Sequence, residues 1–79
     1  MEQIVLDEAK TLGFPCQLNS ENHWQILPLQ PEATWKLTLE ESRWVLSLQD
    51  VPQLRLDLRQ AISFLTARAR AARFGSQGD

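Results

Sequence analysis

The chain has 79 residues, with 10 acidic residues against 8 lysines and arginines and a formal net charge of −2 at pH 7. A chain of this length holds one domain, and because it buries only about 60% of its unfolded surface, most of its large apolar side chains must serve one core. A single cysteine excludes an internal disulfide, and no apolar run approaches the ~20 residues that a membrane-spanning helix needs.

The first segment, "MEQIVLDEAKTLGF", predicts a short amphipathic helix. Apolar residues recur at helical spacing at Met1, Val5, Ala9 and Leu12, with charged residues between them. Gly13 is a typical helix stop, and the proline two residues later prevents the helix from resuming. The segment also carries acidic residues where a secretory signal has basic ones, so we expect a soluble, cytoplasmic protein.

After this helix the apolar residues alternate with polar ones, which is typical of strands. A first hairpin is predicted around a turn at residues 20–22. Its inward side chains are Cys16, Leu18, Trp24 and Ile26. In this register His23 lies opposite Asn19 on the other face, so Cys16 and His23 do not meet. We therefore expect a buried structural thiol and a turn histidine.

The segment "WKLTLEESRWVLSLQ" predicts a second hairpin with its turn at residues 41–42. This turn sets Glu40 opposite Arg43, a favourable cross-strand charge pair. The same register aligns three apolar pairs on one face, Leu39 with Trp44, Leu37 with Leu46, and Trp35 with Leu48. A shift of one residue would move every large apolar side chain to the other face, so the register is strongly specified.

A further strand, "QLRLD", follows a turn predicted at residues 50–52. Facing Gln49 with Gln53 would pair Leu48 with Leu54 and Leu46 with Leu56, which continues the apolar face. The opposite face of the sheet is mixed in charge and has no aromatic residue. Plain solvation of that face is therefore favoured over a partner surface.

The last helix is predicted to begin after Asp57, an N-cap whose capping-box partner is Gln60. Its predicted core stripe consists of Leu58, Ile62, Leu65, Ala69 and Ala72. We expect the helix to end at Gly75 and residues 76–79 to form a flexible tail. The predicted fold is a single α+β domain over residues 1–75, an antiparallel meander of four or five strands with N- and C-terminal helices packed on one face.

Two short stretches, "RWVLSLQDVPQ" and "AISFL", together resemble a pattern in small uncharacterised proteins of cyanobacterial type. In that pattern a Trp-bearing strand, a V-P-Q turn and a terminal A-I-x-F-L helix occur together. The resemblance covers roughly the last half of the chain. It implies an intracellular α+β domain and brings no catalytic residue.

The residue types argue against an enzyme. Nucleophilic catalysis needs a nucleophile beside a base, and Cys16 and His23 are predicted to lie on opposite faces. One cysteine and one histidine lack the spaced clusters of zinc sites, and the three glycines form no phosphate-binding loop. The three tryptophans fall at inward positions, so they serve the core rather than a base-stacking surface. We therefore expect no catalytic residue, no metal and no cofactor.

Charge is divided unevenly along the chain. Residues 1–50 hold three Lys/Arg and eight Asp/Glu, a formal charge of −5, whereas residues 51–73 hold five Arg and one Asp, a charge of +4. At 100° per residue, three arginines share one flank of the last helix, and these are Arg59, Arg70 and Arg73. Arg68 leaves on the opposite flank, so the basic residues do not form one dense stripe.

Phe64, Ala67 and Ala71 extend the apolar surface of the last helix beyond its core stripe. Either a second helix docks on these residues, or the first helix covers Phe64 and the alanines serve only helix propensity. The leading interpretation is a small non-enzymatic protein-interaction or assembly module. Its partner is an unknown protein or a second copy, bound through these three residues and the arginine flank. The alternative is a nucleic-acid-associated protein using the C-terminal arginine-bearing helix, against which the acidic overall balance argues.

Overall fold

The fold was analysed in a computed structural model that describes residues 2–74. Its elements in chain order are α1 (Glu2–Leu12), β1 (Cys16–Leu18), β2 (Trp24–Ile26), β3 (Trp35–Glu40), β4 (Arg43–Leu48), β5 (Val51–Leu56) and α2 (Leu58–Phe74). The strands form one antiparallel sheet in sequence order, so the predicted α+β meander between two helices is confirmed. Met1, the predicted helix end at Gly75 and the predicted tail at 76–79 lie outside the described residues.

The end of α1 is a Schellman motif built on Gly13. This glycine has a φ of 96°, a conformation that side chains disfavour. The Gly13 amide donates to the Lys10 carbonyl over 3.0 Å, and the Phe14 amide donates to the Ala9 carbonyl over 2.9 Å. This turn buries Phe14 in the core and directs the chain towards β1.

The first hairpin has the predicted register, with Cys16 opposite Ile26 and Leu18 opposite Trp24. The Asn19 side-chain oxygen accepts hydrogen bonds from two amides of the turn, which holds the hairpin closed. Two burial predictions here are wrong. Leu18 is 50% exposed, because β1 is an edge strand of only three residues, and Cys16 is partly rather than fully buried.

The β3–β4 hairpin also has the predicted register. Glu40 lies opposite Arg43, and the three apolar pairs align as expected. Both turn residues, Glu41 and Ser42, have positive φ values of 49° and 69°. This two-residue turn matches the right-handed twist of the strands that it joins.

The predicted pairing of β5 is wrong by two residues, although the predicted apolar face is right. The turn is formed by Gln49 and Asp50, both with positive φ, instead of residues 50–52. The pairs are Leu48 with Val51, Ser47 with Pro52, Leu46 with Leu54, Val45 with Arg55, and Trp44 with Leu56. An irregularity between Leu46 and Ser47 places one extra residue in β5, which is a β-bulge. Because side chains alternate with a period of two, the slip of two residues keeps the leucines on the inner face.

The capping box at the start of α2 is confirmed. The Asp57 carboxylate accepts from the Gln60 amide over 2.9 Å, and the Gln60 side-chain oxygen accepts from the Asp57 amide over 3.0 Å. The predicted core stripe is wrong at its N-terminal end. Ala61, which was not predicted to be buried, is fully buried, and Leu58, the first residue of the helix, is 37% exposed, whereas the predicted Leu65 and Ala69 are buried.

The core lies between the inner sheet face and both helices. Its buried residues are Val5, Leu6, Ala9, Phe14, Ile26, Trp35, Leu37, Trp44, Leu46, Leu56, Ala61, Leu65 and Ala69. Residues of both helices share this one cluster with the inward side chains of the sheet, so the helices pack on the same face, as predicted. Trp35 and Trp44 belong to the core, and Trp24 packs against it while partly exposed.

Candidate interaction surfaces

Phe64 packs inside the molecule against β3. Its ring meets the Trp35 ring edge-on, with centroids 5.0 Å apart and planes at 88°. Trp35 in turn meets Phe14 at 5.7 Å. The Arg68 guanidinium carbon lies 5.3 Å from the centroid of the Phe64 ring and covers its outer side. The residue that covers the Phe64 ring is therefore Trp35 of the sheet.

Ala67 and Ala71 are exposed on the same side of α2 as Phe64. Ala71 also lines a cavity of about 80 Å³ between the C-terminal half of α2 and the chain before β3. The other lining residues are Phe14, Pro28, Leu29, Gln30, Ala33, Trp35, Arg68 and Ala72. Small-molecule sites measure roughly 300–1,000 Å³, so this cavity is too small for a substrate or cofactor of ordinary size.

Arg59, Arg70 and Arg73 are all exposed and lie on the other side of α2. Together with Ile62 and Thr66 they follow a spacing of three or four residues, which makes one continuous row along a helix. We call Arg59, Arg70 and Arg73 the arginine row. At 100° per residue this row faces away from Phe64 and Ala71. The six residues that the sequence predicted as one partner site therefore divide between two sides of α2.

A group of exposed leucine and valine residues was not predicted. Leu48, Val51, Leu54 and Leu58 are 45%, 56%, 58% and 37% exposed, and we call them the β5 edge patch. Leu48 pairs directly with Val51, Leu54 follows on the same strand, and Leu58 begins the helix two residues after β5 ends. These four residues are therefore spread along β5, with Leu48 and Val51 at the Trp35 end of the sheet and Leu58 just beyond Leu56 at the other end.

The β5 edge patch is exposed because of the path of α2. The helix starts beside Leu56, at one end of the sheet, and its Phe64 reaches Trp35, at the other end. It therefore crosses from β5 towards β3 and leaves the inner face of β5 uncovered. Of the six residues of β5, only Leu56 is buried.

The outer face of the sheet is less solvated than the sequence predicts. Thr38 and Val45 are each only 7% exposed, and they lie opposite one another on β3 and β4. The Gln25 side-chain amide donates to the Thr38 hydroxyl over 3.3 Å and covers part of this face. A hollow of about 200 Å³ beside Val45 is lined by Glu40, Val45, Pro52, Gln53, Leu54 and Arg55. Its two charged residues have opposite signs and do not define a ligand class.

The groups with reactive side chains are dispersed. The Cys16 thiol contacts the Phe14 carbonyl at 3.6 Å, and burial raises its pKa while nearby Lys10 lowers it. His23 lies at the turn end of the same hairpin, just before β2, with its Nδ1 3.8 Å from a Glu21 carboxylate oxygen. Within residues 2–74 no three metal-ligating side chains come together.

Among the helices of the described part of the chain, none combines the length and the apolar character that crossing a membrane would require. No protein-family model matches the chain, and neither the curated proteins nor the solved structures include a match.

Proposed function

We propose that this protein is a small non-enzymatic protein-interaction module that binds its partner through the β5 edge patch. The observation that carries the proposal is the exposure of Leu48, Val51, Leu54 and Leu58 in succession along β5 and the start of α2. Single exposed apolar residues are normal on a protein surface, whereas a contiguous group with a polar rim is typical of an interaction site. Asp57 and Arg59, which flank Leu58 in the chain, are exposed polar neighbours of this group.

The sequence predicted that the partner binds through Phe64, Ala67, Ala71 and the arginines of α2. The proposal retains the arginines and replaces the three apolar residues with the β5 edge patch. Phe64 already packs on Trp35 and under Arg68, so less of its ring is free for a partner. Leu54 and Val51 each expose more than half of their surface. The β5 edge patch therefore offers more apolar area to a partner than the surface around Phe64, Ala67 and Ala71.

The non-enzymatic part of the proposal is supported by the placement of the reactive groups. Cys16 pairs with Ile26 at the open end of the first hairpin, whereas His23 lies at its turn end, so the histidine is not beside the thiol. The cavity at Ala71 is lined mostly by apolar residues. Neither feature supplies the convergent polar groups that a catalytic site needs.

Nucleic-acid binding remains the second candidate, and the arginine row is the observation that favours it. Three exposed cations along one helix can contact successive phosphates. The apolar residues beside the row have no complement in a phosphate backbone, however. The first fifty residues also carry a formal charge of −5, which opposes the approach of a polyanion.

The test uses two exposed leucines on the two edge strands of the sheet. Leu54→Glu places a carboxylate in the β5 edge patch, and Leu18→Glu places one on β1, where Leu18 is exposed to a similar degree. Wild type and both variants serve as bait for affinity capture from extracts of the native host, with and without nuclease treatment. Far-UV circular dichroism checks that all three baits are folded.

We expect a protein that is captured by the wild type and Leu18→Glu and is lost with Leu54→Glu. Equal capture by all three baits would remove the β5 edge patch from the proposal. Capture that disappears after nuclease treatment would favour the nucleic-acid candidate.

A further inference from the structure

The arginine row borders the β5 edge patch. The Phe64 side of α2 faces the chain before β3, because Arg68, Ala71 and Ala72 line a cavity there with Phe14 and Leu29. The opposite side of the helix must then face the free edge of β5. Ile62, partly buried, lies on the same flank as the arginine row and packs at the margin of the core. Arg59, which follows Leu58, therefore stands beside the patch, and Arg70 and Arg73 continue the same flank where the helix has moved towards β3.

A partner strand is poorly suited to this edge. Pro52 lies within β5 and has no amide hydrogen to donate to an added strand. The β-bulge in β5 further disturbs the regular spacing of its backbone groups. Prolines and bulges are devices that protect sheet edges from strand addition. The partner must therefore bind mainly through side chains, as an amphipathic helix does in an apolar groove.

Charge argues against a second copy as the occupant. A two-fold dimer through this surface would bring two sets of Arg59, Arg70 and Arg73 together. The two carboxylates that flank β5 already have partners within the molecule. Asp50 binds Lys36 over 2.8 Å, and Asp57 caps α2. The surface therefore complements an acidic partner better than it complements itself.

From these observations we infer that the β5 edge patch and the arginine row together bind an acidic amphipathic helix of a partner protein. This inference rests on the proposed function and names the chemistry of the partner. From Arg59 to Arg73 the helix rises about 21 Å at 1.5 Å per residue. The partner helix would be of about that length, with aliphatic residues on one side and carboxylates along one border.

The probe for this inference is a labelled synthetic peptide of about 18 residues, or five helical turns. It carries leucines at helical spacing and glutamates on the neighbouring positions. Three related peptides serve as controls: one has lysine in place of glutamate, one has the same composition in scrambled order, and one has proline at its centre. Fluorescence anisotropy measures binding to the full chain, and circular dichroism measures the helix content of the bound peptide.

We expect the acidic peptide to bind and become helical, and each control peptide to bind about tenfold more weakly or less. Leu54→Glu should weaken binding about tenfold, as removal of an apolar anchor does, and Leu18→Glu should not. Arg59→Gln with Arg73→Gln should weaken binding and reduce its salt dependence. Lys10→Gln with Arg43→Gln removes the same net charge elsewhere and should change binding little.

Other results would overturn the inference. Equal binding of the lysine peptide would show that charge complementarity is not decisive, and retained binding of the proline peptide would exclude a helix. Self-association that is lost with Leu54→Glu in sedimentation would assign the surface to a second copy. Binding of an oligonucleotide that requires Arg59 and Arg73 would assign the row to nucleic acid. If no peptide binds while extract capture still depends on Leu54, the inference fails and the proposed function stands.

Discussion

Leu46 and Leu48 offer a direct test of how far the core extends along β4. Both point to the inner face of the same strand, two residues apart, yet Leu46 is 9% exposed and Leu48 is 45% exposed. Replacement of each by alanine removes the same atoms from two different environments. The difference between their losses of unfolding free energy therefore shows where, along β4, the core ends and the β5 edge patch begins.

The expected magnitudes follow from burial. Leu46→Ala removes a buried side chain and leaves a cavity, which costs about 2–5 kcal/mol of unfolding free energy. Leu48→Ala removes atoms that are nearly half in water, and solvent can fill the space. At about 0.8 kcal/mol for each fully buried methylene, we expect a loss of only about 1 kcal/mol. A domain of this size has a stability of roughly 4–12 kcal/mol, so both variants should fold.

The assay is urea denaturation followed by far-UV circular dichroism, with the wild type and both variants at equal concentration. If the free energy of unfolding falls with urea at the same slope in all three proteins, the same amount of surface is exposed on unfolding. The urea midpoints can then be compared as measures of stability. Equal losses for Leu46→Ala and Leu48→Ala would refute the reasoning, because Leu48 would then be buried in solution. Repeating the measurement at tenfold dilution separates burial within the monomer from burial against a second copy.

Three other predictions concern the core, the α2 cap and the thiol. Trp44→Ala should cost about 3–5 kcal/mol in the same urea assay, since Trp44 is only 2% exposed, and a small loss would contradict its place in the core. Asp57→Ala and Gln60→Ala should each cost about 1 kcal/mol, and the double variant less than the sum, because each side chain bonds the other's amide. Burial, partly opposed by Lys10, raises the pKa of the Cys16 thiol, so thiol labelling at pH 8 should be slower in the folded protein than in denaturant. Because the folded pKa is the higher one, this thiol should favour folding below the unfolded pKa of about 8.5, and the unfolding free energy should fall as pH rises through it.

The β3–β4 hairpin could be predicted from sequence because its two strands constrain each other. Trp35, Leu37 and Leu39 must share a face with their partners, and the charge pair at the turn agrees with that register. A slip of one residue would expose all of them. Local charge and apolar alternation therefore point to a single pairing.

The pairing of β5 could not be predicted in the same way. A slip of two residues leaves Leu54 and Leu56 on the inner face, so alternation does not distinguish the two registers. The deciding feature is the turn at Gln49 and Asp50, whose positive φ values are unusual for these residue types. The sequence offered Pro52 as a turn signal, whereas the structure places it inside an edge strand.

The candidate site was harder to predict than the fold. Alternation correctly places Leu48 and Leu54 on the inner face, but exposure depends on which part of that face the helices cover. Ala61 is equally compatible with burial and with simple helix propensity, so its burial was missed, although Leu65 and Ala69 were placed in the core correctly. Leu58 lies seven residues before the buried Leu65, on the same side of the helix, so its exposure reflects its position as the first helical residue.

The turns of the meander also bear on the order of events during folding. Glu41, Ser42, Gln49 and Asp50 all hold left-handed conformations that favour glycine or asparagine, at a cost of roughly 1–2 kcal/mol per residue. Turns of this kind cannot nucleate their hairpins in isolation. We expect the leucines and tryptophans of neighbouring strands to make contact first. The turns would close afterwards, because those contacts stabilise the closed turns. A chain carrying Asn-Gly at residues 41–42 should therefore fold faster, because closure of that turn would no longer oppose the first strand contact.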